Sequence, residues 1–174
     1  MKEINKDRTW RYDKCGISLP YYTKPFLDVL DNWDLSDSVV FEYGGGDSSI
    51  YYGKHAKAVY GVDDSIEYVN CIRGYALNNV FIKYRSALDE YINSINEQPF
   101  LFDIVIVDGA YRDECIKASI NKIKKGGILI VDNWMQPEVY MASTEVQQLV
   151  TRYEHHIFKQ PDHKYWQTLY AIIK

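Results

Sequence analysis

The sequence has 174 residues, of which 47% are hydrophobic, so we expect one domain with enough core to fold alone and no second catalytic domain. Its formal net charge of −4 argues against a nucleic-acid partner, because phosphate contacts need clustered Lys and Arg side chains. There is no apolar run near ~18 residues and no basic leader, and the three cysteines are widely spaced. We therefore expect no membrane segment, no disulfide framework and a cytoplasmic location.

The predicted elements begin with a short amphipathic helix at Lys24–Trp33, after which strands and helices alternate. Short apolar runs rich in β-branched or aromatic residues predict strands at Val39–Tyr43, Ala58–Val62, Val80–Tyr84, Phe102–Val107 and Ile128–Val131. Helices are predicted between these strands at Ser49–Lys57, Ser65–Asn78, Ala87–Ile95 and Arg112–Lys124. Five strands joined by four helical crossovers indicate a parallel, doubly wound sheet.

The last part of the chain departs from this alternation. A helix is predicted at Glu138–Val150, followed by strands at Arg152–Phe158 and Lys164–Ile173. The loop between these strands is too short for a helix, so they should pair antiparallel. The predicted fold is α/β: a Rossmann-like seven-strand sheet, in which five parallel strands are closed by a C-terminal antiparallel hairpin, with helices on both faces. In this single domain, residues 1–35 form an N-terminal lid or helical segment and residues 38–174 form the core.

Between Val39 and Ser49, an apolar strand ends in a carboxylate and three consecutive glycines. Glycine permits a turn at positive φ and lets a ligand approach the main-chain N–H groups. The dinucleotide fingerprint G-x-G-x-x-G is incomplete, because Ser49 stands where it has its third glycine. The order Glu42-x-Gly44-x-Gly46 instead resembles motif I of the class I S-adenosylmethionine (SAM)-dependent methyltransferases. This resemblance implies that SAM is bound by Glu42, Gly44, Gly45, Gly46 and Ser48, although Glu42 could also simply accept hydrogen bonds from its own loop.

Further polar residues follow the other predicted parallel strands, whose carboxyl ends form the ligand-binding edge of such a sheet. Asp63 follows Gly44 by nineteen positions, the distance at which a carboxylate reaches ribose hydroxyls. In the methyltransferases that the chain resembles, the acidic residue ending the second strand has this role. Asp64 is the less favoured neighbour, and a solvated turn residue is the structural alternative. Ser86 and Ala87 stand where many relatives have an acidic and a small residue near the adenine.

Asp108 follows the fourth predicted strand, beside the expected sulfonium of SAM, and is therefore also a predicted cofactor-binding residue. Asp132 and Asn133 follow the fifth strand. This pattern resembles small-molecule O-methyltransferases of the catechol type, in which the corresponding Asp and Asp-Asn residues bind Mg²⁺; the resemblance implies Asp108, Asp132 and Asn133 as ligands. Tyr111 stands where the catechol type has a lysine base, and it joins Asp108 and Asp132 as a predicted catalytic residue. The pattern also resembles metal-dependent sugar O-methyltransferases and a second group, with an Arg-containing turn like Val107 to Arg112, that has no established metal. An N-cap of the next helix is the structural alternative for Asp108.

The segment before the first helix resembles the part of these enzymes that folds over SAM, which implies cofactor contacts from Tyr22 and Thr23. Four aromatic residues are candidates for the acceptor side: Trp10, Tyr12, Trp134 and Trp166. Because Trp134 directly follows Asp132 and Asn133, we expect it to point into the mouth of the site. Trp166 could simply pack against the last strand.

These motifs predict a SAM-dependent O-methyltransferase whose acceptor is a sugar hydroxyl on a glycan or glycosylated metabolite. One alternative is a catechol-type, Mg²⁺-dependent enzyme that acts on a small phenolic compound. Others are a nucleotide-dependent oxidoreductase and a non-catalytic SAM-binding scaffold. We expect no nucleic-acid or membrane partner, and the sequence leaves a homodimer open.

Overall fold

The computed structural model describes residues 18–174. Its strands, numbered in chain order, are β1 (Val39–Tyr43), β2 (Ala58–Asp63), β3 (Val80–Tyr84), β4 (Phe102–Val107), β5 (Ile123–Val131), β6 (Glu154–Lys159) and β7 (Gln167–Ile172). Its α-helices are α1 (Lys24–Leu30), α2 (Asp47–His55), α3 (Ile66–Gly74), α4 (Leu88–Asn93), α5 (Arg112–Ser119) and α6 (Thr144–Val150).

All seven strands belong to one sheet, in the order β3-β2-β1-β4-β5-β7-β6. The first five strands are parallel, and β7 lies antiparallel between β5 and β6. The predicted fold, with a parallel sheet closed by a C-terminal hairpin, is therefore confirmed. Because the strand order reverses direction between β1 and β4, the carboxyl ends of these two strands flank the crevice in which such sheets bind ligands.

Helices cover both faces of the sheet because successive side chains of a strand point to opposite sides. In β1, Val40 packs in the cluster that contains α1, α2 and α3. Its neighbours Phe41 and Tyr43 pack in the cluster that contains α4, α5 and α6. All three side chains are at most 2% exposed, so this central strand is buried on both faces and can hold the loop that follows it.

The start of β5 differs from the prediction. The helix predicted to reach Lys124 ends at Ser119, and β5 begins at Ile123. Ile123 is buried and pairs with Phe102 of β4, so it joins the sheet. Lys124 forms an ion pair with Asp103 instead of ending a helix.

The helix predicted from Glu138 begins only at Thr144. Ser143 caps it, because the Ser143 hydroxyl accepts a hydrogen bond from the N–H of Val146. The residues before the cap form a turn in which Gln136 and Tyr140 make an isolated β-bridge. Within residues 18–174, no helix is long and apolar enough to cross a membrane.

Candidate active site

A cavity of about 320 Å³ lies at the carboxyl ends of β1, β2 and β4. Six residues predicted to bind the cofactor line it: Gly44, Gly45, Gly46, Ser48, Asp63 and Asp108. Tyr21, which belongs to the segment predicted to fold over SAM, also lines the cavity, as does Tyr68, which the sequence analysis missed. The structure therefore brings these six predicted residues together at one cavity, and their role in cofactor binding stays a prediction.

A larger cavity of about 480 Å³ lies at the opposite edge of the sheet, between Trp33 and residues 124–128. None of the predicted site residues lines it. We assign the active site to the smaller cavity, because ligands of open α/β sheets bind beyond the carboxyl ends of the strands.

The glycine loop fits closely against the loop after β4. Gly44 has a φ of +90°, and a Cβ built there would lie 2.5 Å from the Cα of Gly109. A Cβ on Gly46, in contrast, would meet no atom within 4 Å. Gly44 is therefore required by the fold, whereas Gly46 leaves room beside the cavity.

Glu42 lies beneath this loop and is fully buried. Its two carboxylate oxygens accept hydrogen bonds from the hydroxyls of Ser48 and Ser49, at the start of α2. Burial raises the pKa of Glu42 to about 8, against the opposing effect of the two serine hydroxyls. The structure thus places Glu42 as a support of the loop. This resembles the alternative in which Glu42 only accepts hydrogen bonds from its own loop, but the donors are serine hydroxyls rather than main-chain N–H groups.

Asp63 ends β2 and faces the cavity with 6% of its surface exposed. Its Oδ1 accepts a hydrogen bond from the N–H of Ser65 at 2.7 Å. Burial raises the pKa of Asp63, although the N–H bonds that it accepts oppose this shift. Three other predicted cofactor residues, Asp64, Ser86 and Ala87, are exposed and do not line the cavity.

Arg112 connects the ends of β4 and β5. Its guanidinium donates hydrogen bonds to the carbonyl oxygens of Gly109 at 2.9 Å, Asp108 at 2.7 Å and Asp132. It also donates to Asp108 Oδ1 at 3.2 Å and to Asn133 Oδ1 at 3.3 Å. The Arg112 side chain is 8% exposed, so these contacts are shielded from water. The predicted catalytic residues at these strand ends are thus brought together around a residue that was not a predicted site residue.

Asp132 is held from the other side by the C-terminal hairpin. Its Oδ1 accepts a hydrogen bond from the Thr168 hydroxyl at 2.6 Å, and its Oδ2 accepts a long one from Trp166 Nε1 at 3.4 Å. Thr168 in turn accepts a bond from the N–H of Thr23 at 3.0 Å. Trp166 therefore does more than pack, and Thr168 ties the segment before α1 to the site.

The carboxylates of this site have raised pKa values. Burial raises the pKa of Asp108 to about 6, although Arg112 pulls it down and a quarter of the side chain is exposed towards the cavity. Burial, followed by the charge of Asp108, also raises the pKa of Asp132. Burial raises the pKa of Tyr22, and the charges of Glu42, Asp108 and Asp132 add to this effect. The buried hydroxyl of Tyr22 makes no hydrogen bond of good geometry within the described residues.

Two further predicted residues, Tyr111 and Trp134, lie away from the cavity lining. Tyr111 has a φ of 50° at the N-cap of α5, is 39% exposed and packs its ring edge against Tyr91. Trp134 is 4% exposed and packs against Tyr140 in the core, so the prediction that it points into the mouth of the site is wrong. Trp10 and Tyr12 lie outside the described residues.

The predicted Mg²⁺ ligands do not form a metal site. The carboxylate oxygens of Asp132 accept hydrogen bonds from Thr168 and Trp166, and the side-chain oxygen of Asn133 accepts one from the Arg112 guanidinium. Among residues 18–174, no group of three or more His, Cys, Asp or Glu side chains could hold a metal ion. A divalent cation at this place would also meet the positive charge of Arg112, so the donor set does not fit it.

Comparisons with solved structures find methyltransferases among the proteins of similar fold. Similar solved structures include a methyltransferase-like protein from Silicibacter pomeroyi (16% identity, TM-score 0.65, covering 88% of this chain and 88% of that one). They also include a putative O-methyltransferase from Klebsiella pneumoniae (17% identity, TM-score 0.63, 86% and 79% covered). A putative methyltransferase from Streptococcus mutans in complex with SAH has 10% identity and a TM-score of 0.57, with 79% and 89% covered. The chain has a methyltransferase fold.

No family model matches the sequence, and no curated protein matches it. At these sequence identities, the structural likeness establishes the fold but neither the reaction nor the acceptor.

The residues around the cavity fit SAM. The space beside Gly46 gives a ligand access to main-chain N–H groups. Asp63 lies in the same cavity and supplies a carboxylate for hydroxyl groups. The carboxylates of Asp63 and Asp108 both line the cavity, which suits a positively charged ligand.

Proposed function

We propose that this protein is a SAM-dependent methyltransferase. The observation that carries the proposal is the single cavity in which the glycine loop, Asp63 and Asp108 meet at the carboxyl ends of three adjacent strands. When bound, SAM supplies a methyl group on a positively charged sulfur and leaves as the neutral thioether SAH. The methyltransferase fold of the chain supports this proposal over a nucleotide-dependent oxidoreductase.

Each part of the cavity has a proposed role in binding. The main-chain N–H groups of residues 44–46 contact the methionine part, and Asp63 accepts hydrogen bonds from the ribose hydroxyls. Glu42 keeps the loop in place through Ser48 and Ser49. Tyr68 is 61% exposed at the same cavity and offers an aromatic face to the adenine ring.

Asp108 is the proposed general base. An oxygen lone pair of the acceptor hydroxyl forms the new bond to the methyl carbon, while the carbon–sulfur bond breaks and its electron pair stays on sulfur. The hydroxyl proton moves to the Asp108 carboxylate, which later releases it to water. Arg112 donates its side-chain hydrogen bond to Oδ1 of Asp108, and Oδ2 is the oxygen proposed to take this proton.

SAM binding tests the proposal directly. In calorimetric titrations, we expect the protein to bind SAM and SAH but not NAD. Replacing Asp63→Ala should weaken SAM binding by about 2–3 kcal/mol, because ribose hydroxyls would lose a charged acceptor. Asp64→Ala is the matched control and should bind SAM as the wild type does, because Asp64 is exposed outside the cavity. Binding of NAD but not SAM would refute the proposal.

For the acceptor, we propose a sugar hydroxyl on a glycan or glycosylated metabolite. Tyr21 lies at the cavity and stacks on Trp166, with ring centroids 4.9 Å apart and an angle of 20° between the rings. Tyr21 is 47% exposed, and such an aromatic face suits the C–H groups of a pyranose ring. The net charge of −4 gives no support to a nucleic-acid acceptor. A small phenol that stacks on Tyr21 is the second candidate.

Mass spectrometry can separate these acceptors. The protein and SAM are incubated with panels of glycans, glycosides, phenols and RNA oligonucleotides, and products heavier by one methyl group are sought. We expect methylated sugars, and transfer to phenols alone would reverse the order of the two candidates. Normal SAM binding without transfer to any acceptor would instead support a non-catalytic SAM-binding scaffold.

A further inference from the structure

We propose that Arg112 is the positioning residue of this site and that its guanidinium occupies the place that a divalent cation would take between β4 and β5. The inference rests on the proposed function, because it assigns the role of base to Asp108. It goes further, since it predicts a reaction that needs no added metal and names the group that aligns the base.

The geometry of Arg112 favours this role over a simple surface ion pair. The guanidinium has five N–H donors in a rigid plane. It contacts three main-chain carbonyl oxygens and two side-chain oxygens, which belong to the ends of β4 and β5. Its contacts therefore fix Asp108 relative to Asp132 and Asn133, as a metal ion fixes its ligands.

The charges around Asp108 explain why a fixed cation is needed there. Glu42 from β1, Asp63 from β2 and Asp132 from β5 approach the same region, and the buried hydroxyl of Tyr22 faces it from the segment before α1. Arg112 from α5 is the charged partner that lowers the pKa of Asp108. Because these carboxylates repel one another, loss of Arg112 should leave Asp108 protonated at a higher pH.

Arg112 also explains why the predicted metal ligands are unavailable. The side-chain oxygen of Asn133 accepts a hydrogen bond from Arg112, and its amide N–H donates one to Gln136 Oε1 at 3.0 Å. The carboxylate of Asp132 accepts hydrogen bonds from the C-terminal hairpin. A cation could enter only after Arg112 and these donors had moved away.

The test measures the pKa of Asp108. This pKa is obtained from the pH dependence of the ¹³C carboxyl resonance of labelled protein, in the absence of SAM and acceptor. The signal is assigned through Asp108→Asn. We expect Arg112→Gln to raise this pKa by about one unit or more, because the nearest positive charge is lost. Arg112→Lys keeps the charge but not the planar contacts, so it should restore most of the pKa while lowering turnover roughly 10-fold or more.

Lys117→Gln is the matched control. It removes one positive charge from the same helix, at an exposed side chain paired with Glu145, and should leave both the Asp108 pKa and turnover unchanged. If circular dichroism shows that Arg112→Gln does not fold, the comparison of Arg112→Lys with the wild type still tests the proposal. An Asp108 pKa unchanged in Arg112→Gln, or turnover unchanged in Arg112→Lys, would overturn the proposal.

Metal dependence gives a second readout. Wild-type turnover should survive EDTA, and electron paramagnetic resonance should detect no stoichiometric Mn²⁺ site. A Mn²⁺ site that disappears in Asp108→Asn would overturn the role given to Arg112. The resonance and Mn²⁺ measurements need neither SAM nor an acceptor, so failure of SAM binding would reject the proposed function without affecting them.

Discussion

Asp108→Asn is expected to lower the rate of methyl transfer by a factor of about 10²–10⁴ and to leave SAM affinity nearly unchanged. An amide retains the shape of the side chain and can still accept a hydrogen bond from Arg112, but it cannot take the hydroxyl proton. The alternative role as a helix cap does not compete here, because α5 has Tyr111 at its N-cap. Single-turnover assays with saturating SAM, together with SAM titrations, measure the two quantities separately.

The pH profile of the wild type gives the same prediction a second test. Burial raises the pKa of Asp108 to about 6, so its carboxylate is the main form only above that pH. Because the base must be ionised, the rate should fall about tenfold per pH unit below pH 6, and this acid limb should be absent in Asp108→Asn. Glu114→Gln, an exposed change in the first turn of α5, is the control and should keep both rate and profile. Full activity of Asp108→Asn would remove Asp108 from the chemistry.

Most of the fold could be predicted from the sequence, because central parallel strands are buried on both faces and appear as continuous apolar runs. Residues 104–107 read as such a run and form most of β4. The errors lie where tertiary contacts decide an element boundary. Ile123 joins the sheet through its pairing with Phe102. Helix α6 begins only after Ser143, because the Ser143 side chain caps it. Neither contact is visible in the local hydrophobic period.

The site was predictable where its residues follow strand ends, as with Gly44, Asp63 and Asp108. Thr168 was missed, and the contact of Trp166 with Asp132 was not predicted, because the contacts of these two residues with Asp132 span 36 and 34 residues of sequence. Arg112 was also missed as a site residue, although its contacts are not all distant in sequence. Its place in the turn after Val107-Asp108-Gly109 was a signal that could have identified it.

Trp134 shows why a position next to a site residue does not fix the direction of a side chain. Asn133 and Met135 both have positive φ, at 52° and 57°, so the chain turns sharply on either side of Trp134. This turn carries the indole into the core beside Tyr140. Only the backbone geometry after β5 contains this information.

Gly44→Ala and Gly46→Ala should separate folding from cofactor binding. A Cβ on Gly44 would lie 2.5 Å from the Cα and N of Gly109, and the φ of +90° is itself unfavourable for alanine. We expect Gly44→Ala to lower the free energy of unfolding by about 3 kcal/mol or more, since backbone strain adds to the cost of separating two packed loops. Urea denaturation monitored by tryptophan fluorescence measures this change.

Gly46→Ala has the opposite expected outcome. Gly46 has an extended φ of −172° that alanine can adopt, and its added Cβ would meet no protein atom within 4 Å. The free energy of unfolding should therefore change by less than about 1 kcal/mol. SAM affinity should fall roughly 10-fold, because the new methyl group would occupy space needed for close approach of the ligand to the main chain. Unchanged SAM binding in a folded Gly46→Ala protein would show that the ligand does not lie against this loop, and the cofactor would have to bind elsewhere in the cavity.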